Sequence, residues 1–377
     1  MKFSRLVGSL LTVIVTTCLP LTPAAAQEIV IGQVLPLSGV LGGTGKELAL
    51  GVKVYIDALN DKGGLHGKKV VHVVKDDGYV SENTVRLTRE VLDRDQALAL
   101  VGFVGTGNVG ELVRQKVLAN ARVALVAPYT GAESLRQDGN IFHIRAGYAD
   151  EIQAIAKQIS KLGFTTVGVL YQDDAFGQAG LEAAERAIAQ NGAKLVVKAS
   201  YPKNTIKVEA AVKAIAAAEP QAVILVSVSK SSAAFTKQFR QAGQFATLFN
   251  VSVVNSLDMT NEVGEVMSGM GVTQVMPFPF VDQSPVVREF RTALKKYGPL
   301  DTELSYAALE GFIGAKVLAE GIRRAGPGAS REKVIKALET LSNYDVGGFK
   351  LSFSPSNHVG SRFVEITMVD RSGRVVR

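Results

Sequence analysis

The chain has 377 residues, 47% of them hydrophobic and 20% charged, with one cysteine and no tryptophan. That apolar content excludes a disordered chain, and the length favours two domains of about 150 residues each over a single core. The formal charge of +7 comes from Lys and Arg residues scattered singly; the basic block of a nucleic-acid footprint is missing, so no nucleic-acid partner is expected.

Lys2 and Arg5 precede an apolar run, Leu6 to Leu19, followed by Pro20, Pro23 and the small-residue stretch Ala24-Ala25-Ala26. This pattern predicts a signal peptide over 1–26, with Gln27 as the first mature residue and the periplasm as the destination. The run of about 14 residues is too short for a spanning helix, which needs roughly 20. Cys18 at its end raises a lipid-anchor reading, which Thr17 disfavours because a small Gly, Ala or Ser is expected there. Cleavage after Ala26 removes the one cysteine, so no disulfide or thiolate metal site is expected in the mature chain.

Beyond the signal, short Val/Ile/Leu-rich runs alternate with segments of helical period. The first strand is predicted over Glu28 to Val34, then the loop Pro36-Leu37-Ser38-Gly39 and a helix from Thr44 to Asn60. A strand Lys69 to Lys75, a helix Ser81 to Arg94, a strand Ala97 to Val101, a helix to Asn120 and a strand Val123 to Ala127 complete one winding. A second series runs through strand Thr166 to Tyr171, helix Gly177 to Asn191, strand Ala193 to Ser200, helix Lys207 to Ala217 and strand Gln221 to Val226. It closes with helix Ser231 to Gln241 and strand Thr247 to Val251. Pro277 and Pro279 mark an extended crossing segment, since proline holds the chain off a sheet. Helices at Pro285 to Tyr297 and Ser305 to Arg324 follow, then a strand Phe349 to Phe353 and a hairpin of Phe363 to Val369 with Val375-Val376. The fold class read from this order is α/β, with two doubly wound lobes.

Few motifs carry chemistry. Gly105-Thr106-Gly107-Asn108-Val109-Gly110 has the spacing of a dinucleotide loop, but no carboxylate stands at Ala127-Pro128-Tyr129-Thr130 to hold a ribose. What remains is a glycine-rich turn that exposes backbone N–H groups to an anion. Gly42-Gly43-Thr44-Gly45-Lys46 fails as a phosphate loop, because Val40 and Glu47 occupy positions that need Gly and Ser or Thr. The histidines His66, His72, His143 and His358 show no ligand spacing, so no metal is expected. Asp173-Asp174 at a helix entry reads as a cap. With no activated nucleophile and no cofactor motif, neither catalysis nor a cofactor is expected. The loops at Pro36 to Gly39, Gly102 to Gly107 and Pro128 to Ala132 end parallel strands, where α/β sheets place their ligands.

Several stretches, taken together, resemble the branched-chain-amino-acid-binding family of periplasmic substrate-binding proteins. They are Ile31-Gly32 through Pro36-Leu37-Ser38-Gly39, Asp57 to Asn60 with Gly63-Gly64-Leu65-His66-Gly67, Asp76-Asp77, Ala127 to Ala132, Tyr171 to Gly180, Ser305 to Gly311 and Gly347 to Gly360. The resemblance implies a type I periplasmic-binding fold with three crossovers, near Ala146, Met276 and Phe353. One lobe would comprise 27–146 and 277–352, the other 147–276 and 353–377. A small-molecule ligand would sit between the lobes of a monomer, which would deliver it to an ABC permease. The resemblance also implies site residues. Thr106 and Tyr129-Thr130-Gly131 would hold a ligand carboxylate, with Thr44 covering it, and Phe176 and Val228 would be contacts from the second lobe. Tyr306 is a looser match whose helix could equally bury it.

Ser252 falls where amino-acid binders place an acid for the α-ammonium. A buried ammonium without a counter-charge costs several kcal/mol. Either Asp174 or Asp258 supplies the charge, or the ligand is an aliphatic or aromatic acid without an ammonium. A ligand-sensing module of the same fold is the alternative function.

Overall fold

The computed structural model describes residues 28–254, 256–372 and 374–377, so the expected signal peptide lies outside the described residues. Five parallel strands form the first sheet: β1 (Ile29–Leu35), β2 (Val70–Asp76), β3 (Ala99–Val101), β4 (Leu125–Val126) and β5 (Ile141–Phe142), in the order β2-β1-β3-β4-β5. The second sheet begins with β6 (Thr166–Asp173), β7 (Lys194–Pro202), β8 (Ala222–Val226), β9 (Thr247–Asn250) and β10 (Gly271–Gln274). A small antiparallel pair follows, β11 (Tyr344–Asp345) with β12 (Lys350–Leu351). The hairpin of β13 (Glu365–Val369) and β14 (Val375–Val376) then returns to the second sheet, giving β14-β13-β10-β9-β8-β6-β7. Burial follows position in the sheet. Central β8 is buried at every residue, whereas edge strand β2 is half-buried along most of its length.

The chain passes between the two sheets three times: from β5 to β6, from β10 to helix Pro285–Tyr297, and from β12 to β13. The late helices Pro285–Tyr297, Tyr306–Ala325 and Arg331–Leu338 share one core with the first sheet, through Val286, Phe290, Leu309, Phe312 and Leu338. Helix Tyr306–Ala325 lies almost backbone to backbone on helix Gly42–Asn60. A Cβ on Gly51 would stand 1.8 Å from the Ala308 carbonyl, and one on Gly311 would stand 2.1 Å from that of Leu48, so both sites require glycine. Each lobe is thus assembled from separated stretches.

One expected helix changes, and four elements are added. The helix expected to run to Asn120 is broken at Lys116, whose φ of 54° ends Thr106–Arg114 before a short turn at Val117–Ala121. Helices Tyr148–Lys161 and Arg331–Leu338 had not been read from the sequence, and β5 and β10 were too short to read. The segment at Pro277 and Pro279 belongs to neither helix nor strand, but bends at 275–276 and a turn at 279–280 replace the extended run that was expected.

Candidate functional site

The carboxyl ends of the two sheets face each other across a nearly closed cavity of about 10 Å3. It is lined by Leu41, Tyr79, Val104, Gly105, Thr106, Tyr129, Tyr148, Phe176, Val228 and Val253. Gly105 sits at φ 99°, and a Cβ there would come within 2.6 Å of the Tyr79 ring. This turn opens helix Thr106–Arg114, whose N-terminus has no side-chain cap. The first backbone N–H groups therefore have no partner within the helix, and the positive end of its dipole points toward the cavity.

Hydroxyls gather at the same end. Thr106 Oγ1 and Thr130 Oγ1 are 2.7 Å apart and buried. The Tyr148 hydroxyl meets the Thr130 side chain and the Gly131 backbone; burial is the main reason that its pKa is raised. Gly131 in turn accepts from the Tyr148 backbone N–H at 2.8 Å. From the second lobe come Phe176, 5.3 Å from the Tyr148 ring centre, and the aliphatic Val228 and Val253. The lining contains no charged side chain.

Ser252 stands beside this wall in a charged seam. Its hydroxyl accepts from the Arg145 guanidinium, its backbone N–H donates to Glu151 Oε2 at 2.7 Å, and its carbonyl accepts from Tyr129 Oη at 3.1 Å. Arg145 is fully buried, 4.4 Å from the Tyr129 ring centre, 3.9 Å from Glu151 Oε1 and 3.7 Å from Glu310 Oε1. Burial opposes the Arg145 charge, but Glu310 and Glu151 more than offset it and hold the pKa above its ordinary value. Burial pushes Glu310 up to about 7 even though Arg145 draws it down. Tyr129 comes from the first lobe, Ser252 from the second and Arg145 from the first passage between them. The seam therefore ties both lobes beneath the cavity.

The structure brings Thr106, Tyr129, Thr130, Phe176 and Val228 together, with Gly131 and Ser252 immediately behind them. Thr44 is buried in the first turn of its helix and does not line the cavity; Leu41, one turn earlier, takes that place. Tyr306 lies elsewhere, against Phe278 and Phe280 of the second passage, with its hydroxyl 3.5 Å from Glu365. Asp174 caps its helix through the N–H groups of Phe176 and Gly177, at 3.0 and 3.1 Å, and accepts from Gln172. The side chain of Asp258 lies outside the described residues. Sequence reading missed Leu41, Tyr79, Val104, Tyr148, Val253 and Arg145. For Tyr79 a signal existed, since it directly follows Asp76-Asp77-Gly78 at the carboxyl end of β2.

Residues 28–374 match the model of the periplasmic binding protein family. A substrate-binding periplasmic protein from Ralstonia solanacearum is 40% identical, with a TM-score of 0.89 over 93% of this chain and 99% of that one. A Leu/Ile/Val-binding protein homolog from Brucella melitensis is 24% identical over 353 residues, 88% of this chain and 87% of the relative. A solute-binding protein from R. palustris in complex with benzoate shares the fold at 17% identity, with a TM-score of 0.80 over 93% of this chain and 95% of that one. The chain belongs to the periplasmic binding protein family.

Proposed function

We propose that this receptor takes a small carboxylate with an apolar body and no ammonium group, and hands it to an ABC permease without turnover. The observation that carries the reading is the cavity lining: hydroxyls and an uncapped helix N-terminus at one end, aromatic and aliphatic walls elsewhere, and no acidic side chain. Thr106, Thr130 and Gly131 would receive the carboxylate, with Tyr129 and Tyr148 beside them. Phe176 and Val228 would cover the body. At Ser252, where an ammonium would need an acid, the hydroxyl accepts from the Arg145 guanidinium, and the nearby Glu151 is already engaged by the Ser252 N–H, the Thr273 hydroxyl and Arg145.

The lobes proposed are 27–146 with 277–352 and 147–276 with 353–377, acting as a monomer in the periplasm after removal of residues 1–26. The cavity has room for about one water in this closed state, so the lobes would part to admit a ligand. Benzoate and valine bound to distant relatives bracket the size and chemistry considered.

Calorimetry with 4-methylpentanoate and leucine tests the reading, because the two share a skeleton and differ by the ammonium. The acid is expected to bind more than tenfold tighter, since leucine would bury an unpaired cation. Leucine binding at least as tightly would overturn the assignment of a des-amino ligand.

A further inference from the structure

Lys203 follows β7 at the edge of the second sheet and reaches across the cleft to the first lobe. Its Nζ lies 3.2 Å from Asn108 Oδ1 and 4.2 Å from the Tyr79 ring centre, both on the first lobe. On its own lobe it lies 3.8 Å from Asp174 Oδ2. Fully buried Asn108 passes the contact on, donating to Thr84 Oγ1 at 2.8 Å and to Asp77 Oδ2 at 3.4 Å. Thr84 Oγ1 donates to the same Asp77 oxygen at 2.6 Å. Gln172 completes the bridge from the other side, donating to Tyr79 Oη at 3.0 Å and Asp174 Oδ2 at 2.9 Å. The neighbouring Asn204 donates to the Gly78 carbonyl at 3.3 Å.

One ammonium thus stands between the half-buried Asp174 of its own lobe and, through Asn108, the buried Asp77 of the other. Closing the cleft strips water from both acids and draws like charges together, a cost that an interposed cation offsets. Burial raises Asp77 and Asp174 and lowers Lys203, while Asp174, Asp77 and Glu82 pull Lys203 back up. The network also stands directly behind the cavity. Tyr79 lines it, Asp174 caps the helix that carries Phe176, and Tyr201 Oη joins Gln172 at 3.3 Å to the Val228 N–H at 3.4 Å.

We infer that Lys203 is a specificity-determining residue: an ammonium built into the chain, which stabilises the closed cleft and leaves its acids unavailable to an ammonium on the ligand. The inference rests on the proposed carboxylate ligand and explains how the protein enforces that choice. It acts by charge, so removing an acid should compensate for removing the cation.

The test is calorimetry with 4-methylpentanoate and leucine on the wild type, Lys203→Met, Asp77→Asn and the double variant. Lys203→Met is expected to bind the acid at least tenfold more weakly and to shift selectivity at least tenfold toward leucine. Adding Asp77→Asn is expected to restore most of the affinity for the acid. Wild-type affinity and selectivity in Lys203→Met would overturn the inference, as would a double variant no better than the single one. If the wild type binds neither probe, the carboxylate reading fails, and thermal unfolding of the same four free proteins decides the charge bridge. A loss of stability in Lys203→Met that Asp77→Asn removes supports it, and strictly additive losses overturn it.

Discussion

The wall supplied by the first lobe offers the Thr106 hydroxyl, backed by that of Thr130, and the uncapped start of helix Thr106–Arg114, whereas the wall supplied by the second offers Phe176, Val228 and Val253. Under the proposed function, the first wall would receive a charged head and the second an apolar body. The difference assigns them different tasks. Directional donors fix where an anion sits, while apolar surface rewards closure in proportion to the area it covers. Neither wall contains a formal charge. The charges stand behind them, in the Arg145 seam and the Lys203 bridge, where they set how the lobes meet.

The largest expected effect comes from breaking the seam that joins the walls. Arg145→Met leaves Glu151 and Glu310 buried without their cation, which should cost about 3–5 kcal/mol of folding stability. Denaturant unfolding measures it. A variant as stable as the wild type would show that the seam does not hold the lobes.

The next two substitutions separate the walls. Thr106→Val keeps the shape and removes one hydrogen bond to a charged head, so affinity for every carboxylate probe should fall by about 1.5–3 kcal/mol, roughly 10- to 150-fold. Phe176→Ala should instead re-rank the probes by the size of their bodies, by about 1–3 kcal/mol. If both variants weakened all probes by one common factor, the division of labour between the walls would be lost.

A pH dependence tests the seam separately. The unfolded chain should release the Glu310 proton near its ordinary value of 4.5, and the folded protein near 7. Both states hold that proton below 4.5, and the contribution to stability is lost as pH rises through 7. Glu310→Gln should remove this loss, at most about 1.4 kcal/mol per pH unit. His72 and His143, lowered to about 4 and 3 by burial, slope the other way in acid, so the comparison must be between variant and wild type. Parallel pH profiles for the two proteins would exclude Glu310 as the titrating group.

Much of the fold was legible because strand and helix periods are local properties. The long helices Pro285–Tyr297 and Tyr306–Ala325 and the strand β8 stood out by pattern alone. β5 and β10, of two and four residues, were not picked out by their pattern. Asp174 as a cap was legible too, since a helix start is written in adjacent residues. In the site, Thr106 and Tyr129 lie in loops singled out at the ends of strands, whereas Phe176 and Val228 were reached only through the resemblance to the family.

The sequence by itself determined the alternation of strand and helix, the glycine turn at Gly105 and the absence of an acid at Ser252. Tertiary structure decided what those features face. Tyr79 and Tyr148 became cavity wall only when distant loops converged, and Thr44 turned inward while Leu41 took its place. Arg145, a lone basic residue in the sequence, acquired Ser252, Glu151 and Glu310 as partners from elements far apart in the chain. Burial and pairing depend on which elements meet. That meeting is fixed by three passages between two sheets, which no local pattern of residues encodes.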